Sequence, residues 1–163
     1  MLGHLPVRVI GIGSPHGDDQ IGWRSAIHLR DSMVFQEAYG DQIEISICRT
    51  PLDGFLDYAK ASCAVIVLDA VISGSPVGTV MRIEEETLPD ISLPYSSHGY
   101  SVAQMIELGR SMNALPEHIV VLGVEVASCE PNNAPMGGGV SRILQRMEEL
   151  VIEELEYLAM VNG

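Results

Sequence analysis

Apolar and polar residues fall in blocks along the chain, and the period of the blocks changes from one to the next. Val7–Gly13 (VRVIGIG) is an apolar, β-branched run ending in glycine and predicts a first strand. Gln20–Tyr39 predicts a helix. Ile43–Cys48 (IEISIC) alternates apolar and polar residues, which suits a strand near a sheet edge. A short helix is expected around Leu52–Ala61. Ala64–Leu68 (AVIVL) is continuously apolar, as a central strand covered on both faces must be. Thr79–Glu84 predicts a further strand, and Leu88–Ser97, with Pro89 and Pro94, a loop. Ser101–Met112 has helical spacing at Val102, Met105, Ile106 and Leu108. Ile119–Val126 (IVVLGVEV) reads as another buried strand. Ser128–Gly139 holds Pro131, Pro135 and three consecutive glycines and predicts a long loop. Val140–Met160 closes the chain as a helix with Ile143, Leu144, Met147, Leu150, Val151 and Leu155 on its apolar stripe.

Strands alternating with helices mean βαβ units. Right-handed crossovers then place helices on both faces of a largely parallel sheet. No Pro/Gly/Ser-rich linker and no internal repeat divides the 163 residues, so one domain is expected over 1–163. Apolar residues make up 47% and aromatics only 5%, which assigns the core to aliphatic side chains.

Nine Lys and Arg against 22 Asp and Glu give a net charge of −13, and Lys60 is the one lysine. That balance argues against nucleic acid as a partner, which needs a basic footprint, and against an anionic membrane surface. The richest apolar run, Cys63–Ile72, is too short to span a bilayer and contains Asp69. Met1–Pro6 has no basic region leading into a long apolar stretch, so no secretory signal is expected. Cys48, Cys63 and Cys129 form no CxxC pair, and a reduced, cytoplasmic chain is the expectation.

In parallel α/β sheets ligands bind beyond the carboxyl ends of the strands. The first strand runs out into GIGSPHGDDQIG. Its glycines invite comparison with the dinucleotide fingerprint GxGxxG, but the third glycine comes one place late, and no GK[ST] follows. Asp18 and Asp19 would also repel a pyrophosphate. Either carboxylate would serve equally as a cap for the following helix. Asp69 closes the apolar central strand, where a carboxylate needs hydrogen bonds, a cation or a metal to offset its desolvation; capping of a turn is the plainer use. His98 lies in SSHGYS, just before a predicted helix, where a polar turn residue is equally ordinary. His16 is a secondary candidate. Asp19, Asp69 and His98 nevertheless all fall at the carboxyl side of the predicted sheet. Two carboxylates and an imidazole suit an open site for a divalent transition metal, with nickel, zinc, iron and manganese all admissible. HExxH and GxSxG are absent.

Four ordered segments carry a resemblance: GIGSPHGDDQIGWRSA, VIVLDAVISGSPVGTV, SSHGYSVAQMIELG and VVLGVEVASCEPNNAPMGGGVSRIL. The chain resembles the [NiFe]-hydrogenase maturation proteases, endopeptidases that trim the C-terminus of hydrogenase large-subunit precursors. The resemblance implies a three-layer α/β/α sandwich around a largely parallel central sheet. It implies that Asp19, Asp69 and His98 are both metal ligands and catalytic residues. The metal implied is nickel already installed in the precursor, with other divalent metals able to substitute in vitro. The implied partner is the hydrogenase large-subunit precursor. Ser14 stands where the family usually has Asn, Gln20 where Gly is common, and Glu125 where Gln is more usual. A non-catalytic metal- or precursor-binding assembly module would share the same ligands.

Overall fold

The computed structural model describes residues 5–13, 20–49, 54–90, 101–127 and 139–162. In chain order the elements are β1 (Val7–Ile12), α1 (Gln20–Asp31), α2 (Met33–Tyr39), β2 (Ile43–Cys48), α3 (Phe55–Lys60), β3 (Ala64–Val71), β4 (Val80–Glu84), a 3-10 turn (Glu85–Asp90), α4 (Val102–Ser111), β5 (His118–Glu125) and α5 (Val140–Val161). The five strands form one sheet in the order β2-β1-β3-β5-β4. Every pairing is parallel except that of β4 with β5.

The sequence pattern explains the layering. Along a strand successive side chains face opposite ways. Val9, Ile66, Leu68, Val120, Leu122 and Val124 face one side, where α1, α2 and α5 cover them with Ile21, Leu29, Phe35, Met147 and Val151. Ile10, Ile12, Val65, Val67, Val71 and Val121 face the other, under α3, α4 and Leu88. All eight residues of β3 are buried, as a central strand covered on both faces requires. The alternating IEISIC strand is indeed an edge.

Three local outcomes differ from the pattern. The helix expected over Gln20–Tyr39 is two helices, because Ser32 adopts extended backbone and its hydroxyl accepts from Phe35 N–H at 3.3 Å, capping α2. β3 continues past Leu68 to Val71, since β5 runs beside it and supplies partners for Asp69, Ala70 and Val71 in Gly123, Val124 and Glu125. Leu108, placed on the apolar stripe of α4 by its spacing, is 40% exposed.

Candidate active site

The parallel strands β1, β3 and β5 all end on one side of the sheet, at Ile12, Val71 and Glu125. Asp69 lies within the last turn of pleat of the central strand and is only 5% exposed. Its neighbour Ala70 donates its N–H to Asp69 Oδ1 at 2.8 Å, which fixes the carboxyl group against its own backbone. Burial of a carboxylate at this depth is costly without such compensation.

α1 is pressed onto this end of the sheet by the absence of a side chain at Gly22. A Cβ there would lie 2.2 Å from the carbonyl oxygen of Ile12, 2.4 Å from that of Leu68 and 3.1 Å from Asp69 Cα. Only glycine allows the helix start to sit against both strand ends. Gly13, at φ 149°, supplies the turn out of β1, a conformation L side chains rarely adopt, while its N–H donates to Cys48 carbonyl at 3.0 Å. Gln20, which follows Asp19 in the sequence, is the first residue of α1.

The last strand contributes a second buried acid, Glu125, 2% exposed. Its carboxylate accepts from Ser73 N–H at 2.9 and 3.0 Å, from Ser73 hydroxyl at 2.6 Å and from Gly74 N–H at 3.0 Å. Glu125 therefore ties the turn leaving β3 to the end of β5. The same junction is closed by backbone bonds from Gly78 N–H to Glu125 carbonyl and from Val126 N–H to Val71 carbonyl. Glu125 was not among the candidate site residues of the sequence. Its signal was the one that marked Asp69: a charged residue ending an apolar strand.

The segment 91–100 carries His98. The elements on either side of it are fastened to the same layer. Ser101 caps α4 in a reciprocal box with Gln104, and Leu88 is buried beside Val102 and Met105 in one cluster. Arg110 of α4 clasps Glu85 with two nitrogens at 2.8 and 2.6 Å, and this pairing raises the guanidinium pKa above its ordinary value.

Of the three residues singled out by sequence, the structure thus places Asp69 at the carboxyl end of the central strand. Asp19 and His98 lie outside the described residues, as do Asp18 and His16. The loop Ser128–Gly139 falls mostly outside them too. Among the described residues no group of three His, Cys, Asp or Glu side chains is gathered to hold a metal ion. No described helix is long and apolar enough to cross a membrane.

A mainly parallel α/β/α sandwich with a buried acid at the carboxyl end of its central strand is the class that fold and site define. The sequence profile of the hydrogenase maturation protease family (HycI) matches residues 50–154. The chain belongs to that family. A curated relative, the hydrogenase expression/formation protein HupD of Thiocapsa roseopersicina, is 26% identical over 107 residues, or 64% of this chain. The match spans about half of that relative's length, 47%. The hydrogenase maturating endopeptidase HybD from E. coli has the same fold, with a TM-score of 0.69, 23% identity and 93% of each chain covered. So does the [NiFe] hydrogenase maturation protease HycI from Thermococcus kodakarensis, with a TM-score of 0.64, 19% identity and 95% of each chain covered.

Proposed function

We propose that this chain is an endopeptidase that removes the C-terminal peptide of a [NiFe]-hydrogenase large-subunit precursor during maturation. Family membership supplies the reaction class. The observation that carries the reading to particular atoms is Asp69, a buried carboxylate held by Ala70 N–H at the carboxyl end of the central strand. Acids in that position face the ligand side of an open α/β sheet.

In this reading the metal arrives with the substrate, as nickel in the precursor. Asp19 and Asp69 offer oxygen ligands and His98 a nitrogen, a donor set suited to nickel. Bound there, the ion would act as a Lewis acid towards the scissile carbonyl or a bound water. The chain's own residues do the positioning. Asp69 presents a carboxylate of fixed orientation. Gly22 keeps the start of α1 seated on the strand ends. Glu125 holds the turn that leaves β3. His98 must be neutral at the coordinating nitrogen, so precursor recognition should weaken in acid strong enough to protonate it.

The test is the intact mass of a nickel-loaded precursor after incubation with the chain, beside a nickel-free control. Loss of a C-terminal peptide in the loaded sample alone is the expected result. A stable complex without any mass change would replace this reading with that of a non-catalytic assembly module. Equal cleavage of both samples would remove nickel from it.

A further inference from the structure

We propose that the groove between α1 and α5 docks the precursor polypeptide through an apolar stretch bearing a carboxylate side chain, and that Arg24 reads that carboxylate. The inference rests on the protease reading above. The groove has a volume of about 510 Å³ and is lined by Trp23, Arg24, Ile27, His28, Asp31 and Ser32 from α1 and the α1–α2 corner, and by Leu144 from α5. Positions 23, 24, 27 and 28 recur at helical spacing, so they share one face of α1. Trp23, Ile27 and Leu144 form an apolar strip there, the kind of wall that receives an apolar side chain.

The charges beside this strip differ in their state. His28 Nε2 lies 2.7 Å from Glu148 Oε2, and Ser32 hydroxyl donates to Glu148 Oε1 at 3.3 Å, so Glu148 is already engaged. Asp31 pairs with Arg30. Arg8, Arg82, Arg110 and Arg146 are likewise each paired with a carboxylate. Arg24 makes no salt bridge with any described residue. In a chain of net charge −13, a half-buried guanidinium left without a described counter-ion beside an apolar strip is complementary to an incoming carboxylate. The acidic remainder of the surface repels carboxylates elsewhere, which restricts the register in which such a segment can bind.

The position fits the task. Trp23 and Arg24 directly follow Gly22, the residue seated against Ile12, Leu68 and Asp69. The groove therefore begins in the first turn of α1, at the end nearest the candidate active site.

Trp23 is the one tryptophan of the chain, so its emission reports directly on the groove. The experiment mixes the full chain with nickel-loaded precursor and follows both Trp23 emission, against a precursor-only blank, and steady-state cleavage. A blue shift on complex formation is expected. Arg24→Gln should raise KM about tenfold with kcat within about twofold, and Leu144→Glu, which adds a repelling charge, should do the same. Added salt should raise KM for the unaltered chain and have little effect on Arg24→Gln. Cleavage with no change in emission, or with KM unaltered in both variants, would overturn the groove and leave the protease reading standing. A shift that follows the concentration of the chain alone would assign the groove to a second copy and overturn the proposal. Complex formation with the shift but without cleavage would keep the groove and sink the protease reading.

Discussion

Both ends of the sheet bury a glutamate, and they compensate it differently. At the carboxyl end Glu125, 2% exposed, is met by neutral donors: two backbone N–H groups and the Ser73 hydroxyl. Towards the other end Glu154 of α5, 4% exposed, is clasped by Arg82 of β4 and approached by His118 Nε2 at 3.3 Å. Neutral donors satisfy lone pairs without cancelling the charge; a guanidinium does both. Among the described residues no cation pairs with Glu125. Glu125 thus holds its turn without a described counter-ion, at the end of the sheet that also carries Asp69. The Arg82–Glu154 pair spends its charge internally and joins α5 to the edge strand. Both glutamates fasten, one through neutral donors beside the candidate site and the other through an ion pair away from it.

The largest effect should come from unseating α1 from the strand ends beside Asp69. Gly22→Ala drives a methyl group to 2.2 and 2.4 Å from two carbonyl oxygens that belong to strands and cannot rotate away. α1 must lift from the sheet. A loss of about 3 kcal/mol, at the upper end of overpacking costs, is expected, and for a chain of this size that is roughly 6–12 °C in Tm. Cleavage should fall with it. A Gly22→Ala protein with unchanged Tm and unchanged cleavage would show that helix seating does not matter to the site.

Asp69→Asn separates charge from shape. The amide keeps an oxygen for Ala70 N–H, so Tm should stay within about 2 °C, while cleavage should drop at least about 100-fold, as for loss of one preorganised electrostatic group. Glu154→Ala should show the opposite profile. It takes a partner from Arg82 and His118, but Arg82 keeps Glu84 and is one-third exposed, so the cost should be about 2 kcal/mol rather than the full penalty of a broken buried pair. Cleavage per folded molecule should not change. If Glu154→Ala slowed cleavage at constant stability, the separation of Glu154 from the candidate site would collapse.

Acidity and alkalinity sharpen the same contrast. The Glu154 carboxylate hydrogen-bonded to Arg82 raises the guanidinium pKa well above its ordinary value. A raised cation pKa contributes stability that is complete below the unfolded value and is lost only as pH climbs through the folded one. The Arg82 contribution should therefore be flat from about pH 6 to 9. If His98 is a ligand, precursor recognition should instead weaken as the medium is made acidic while the protein is still folded. Parallel measurement of Tm and of complex formation across pH separates the two, and a recognition profile that only follows Tm would remove His98 as a ligand.

Much of this architecture was legible as pattern. The continuous run AVIVL gave the centre of the sheet and the alternating IEISIC its edge, because burial on two faces or one leaves different periods. The break at Ser32 was not legible, because its apolar spacing continues across the cap and a serine inside a helix looks the same in sequence. Nor was the length of β3, which depends on β5 running alongside it. Asp69 was legible because a charge inside an apolar strand needs compensation. Glu125 carries the same signal, yet the use it serves depends on a turn 52 residues away in the chain. Arg24 has no signal in sequence at all, since its character lies in having no counter-ion among the described residues.

The smallest effect, and the finest test of the comparison, is Glu125→Gln. The amide keeps one oxygen, which can still accept from the turn, but its NH₂ faces donors that it cannot satisfy. Three donors, Ser73 N–H, Ser73 hydroxyl and Gly74 N–H, now compete for that oxygen. Ser73 and Gly74 are exposed, so water can take up the surplus, and the cost should be about 1 kcal/mol, at the low end for an unsatisfied group. Gly74 and Gly78, at φ 90° and 91°, let the turn adapt without further strain. Tm should fall by about 2–4 °C and cleavage by no more than about threefold. A loss of cleavage far beyond the loss of stability would mean that the charge of Glu125, and not its hydrogen bonds, serves the site. Glu125→Asp discriminates further: it keeps the charge but withdraws it by one methylene from Ser73. If charge matters, Asp should preserve cleavage better than Gln; if the turn matters, Gln should preserve it better than Asp.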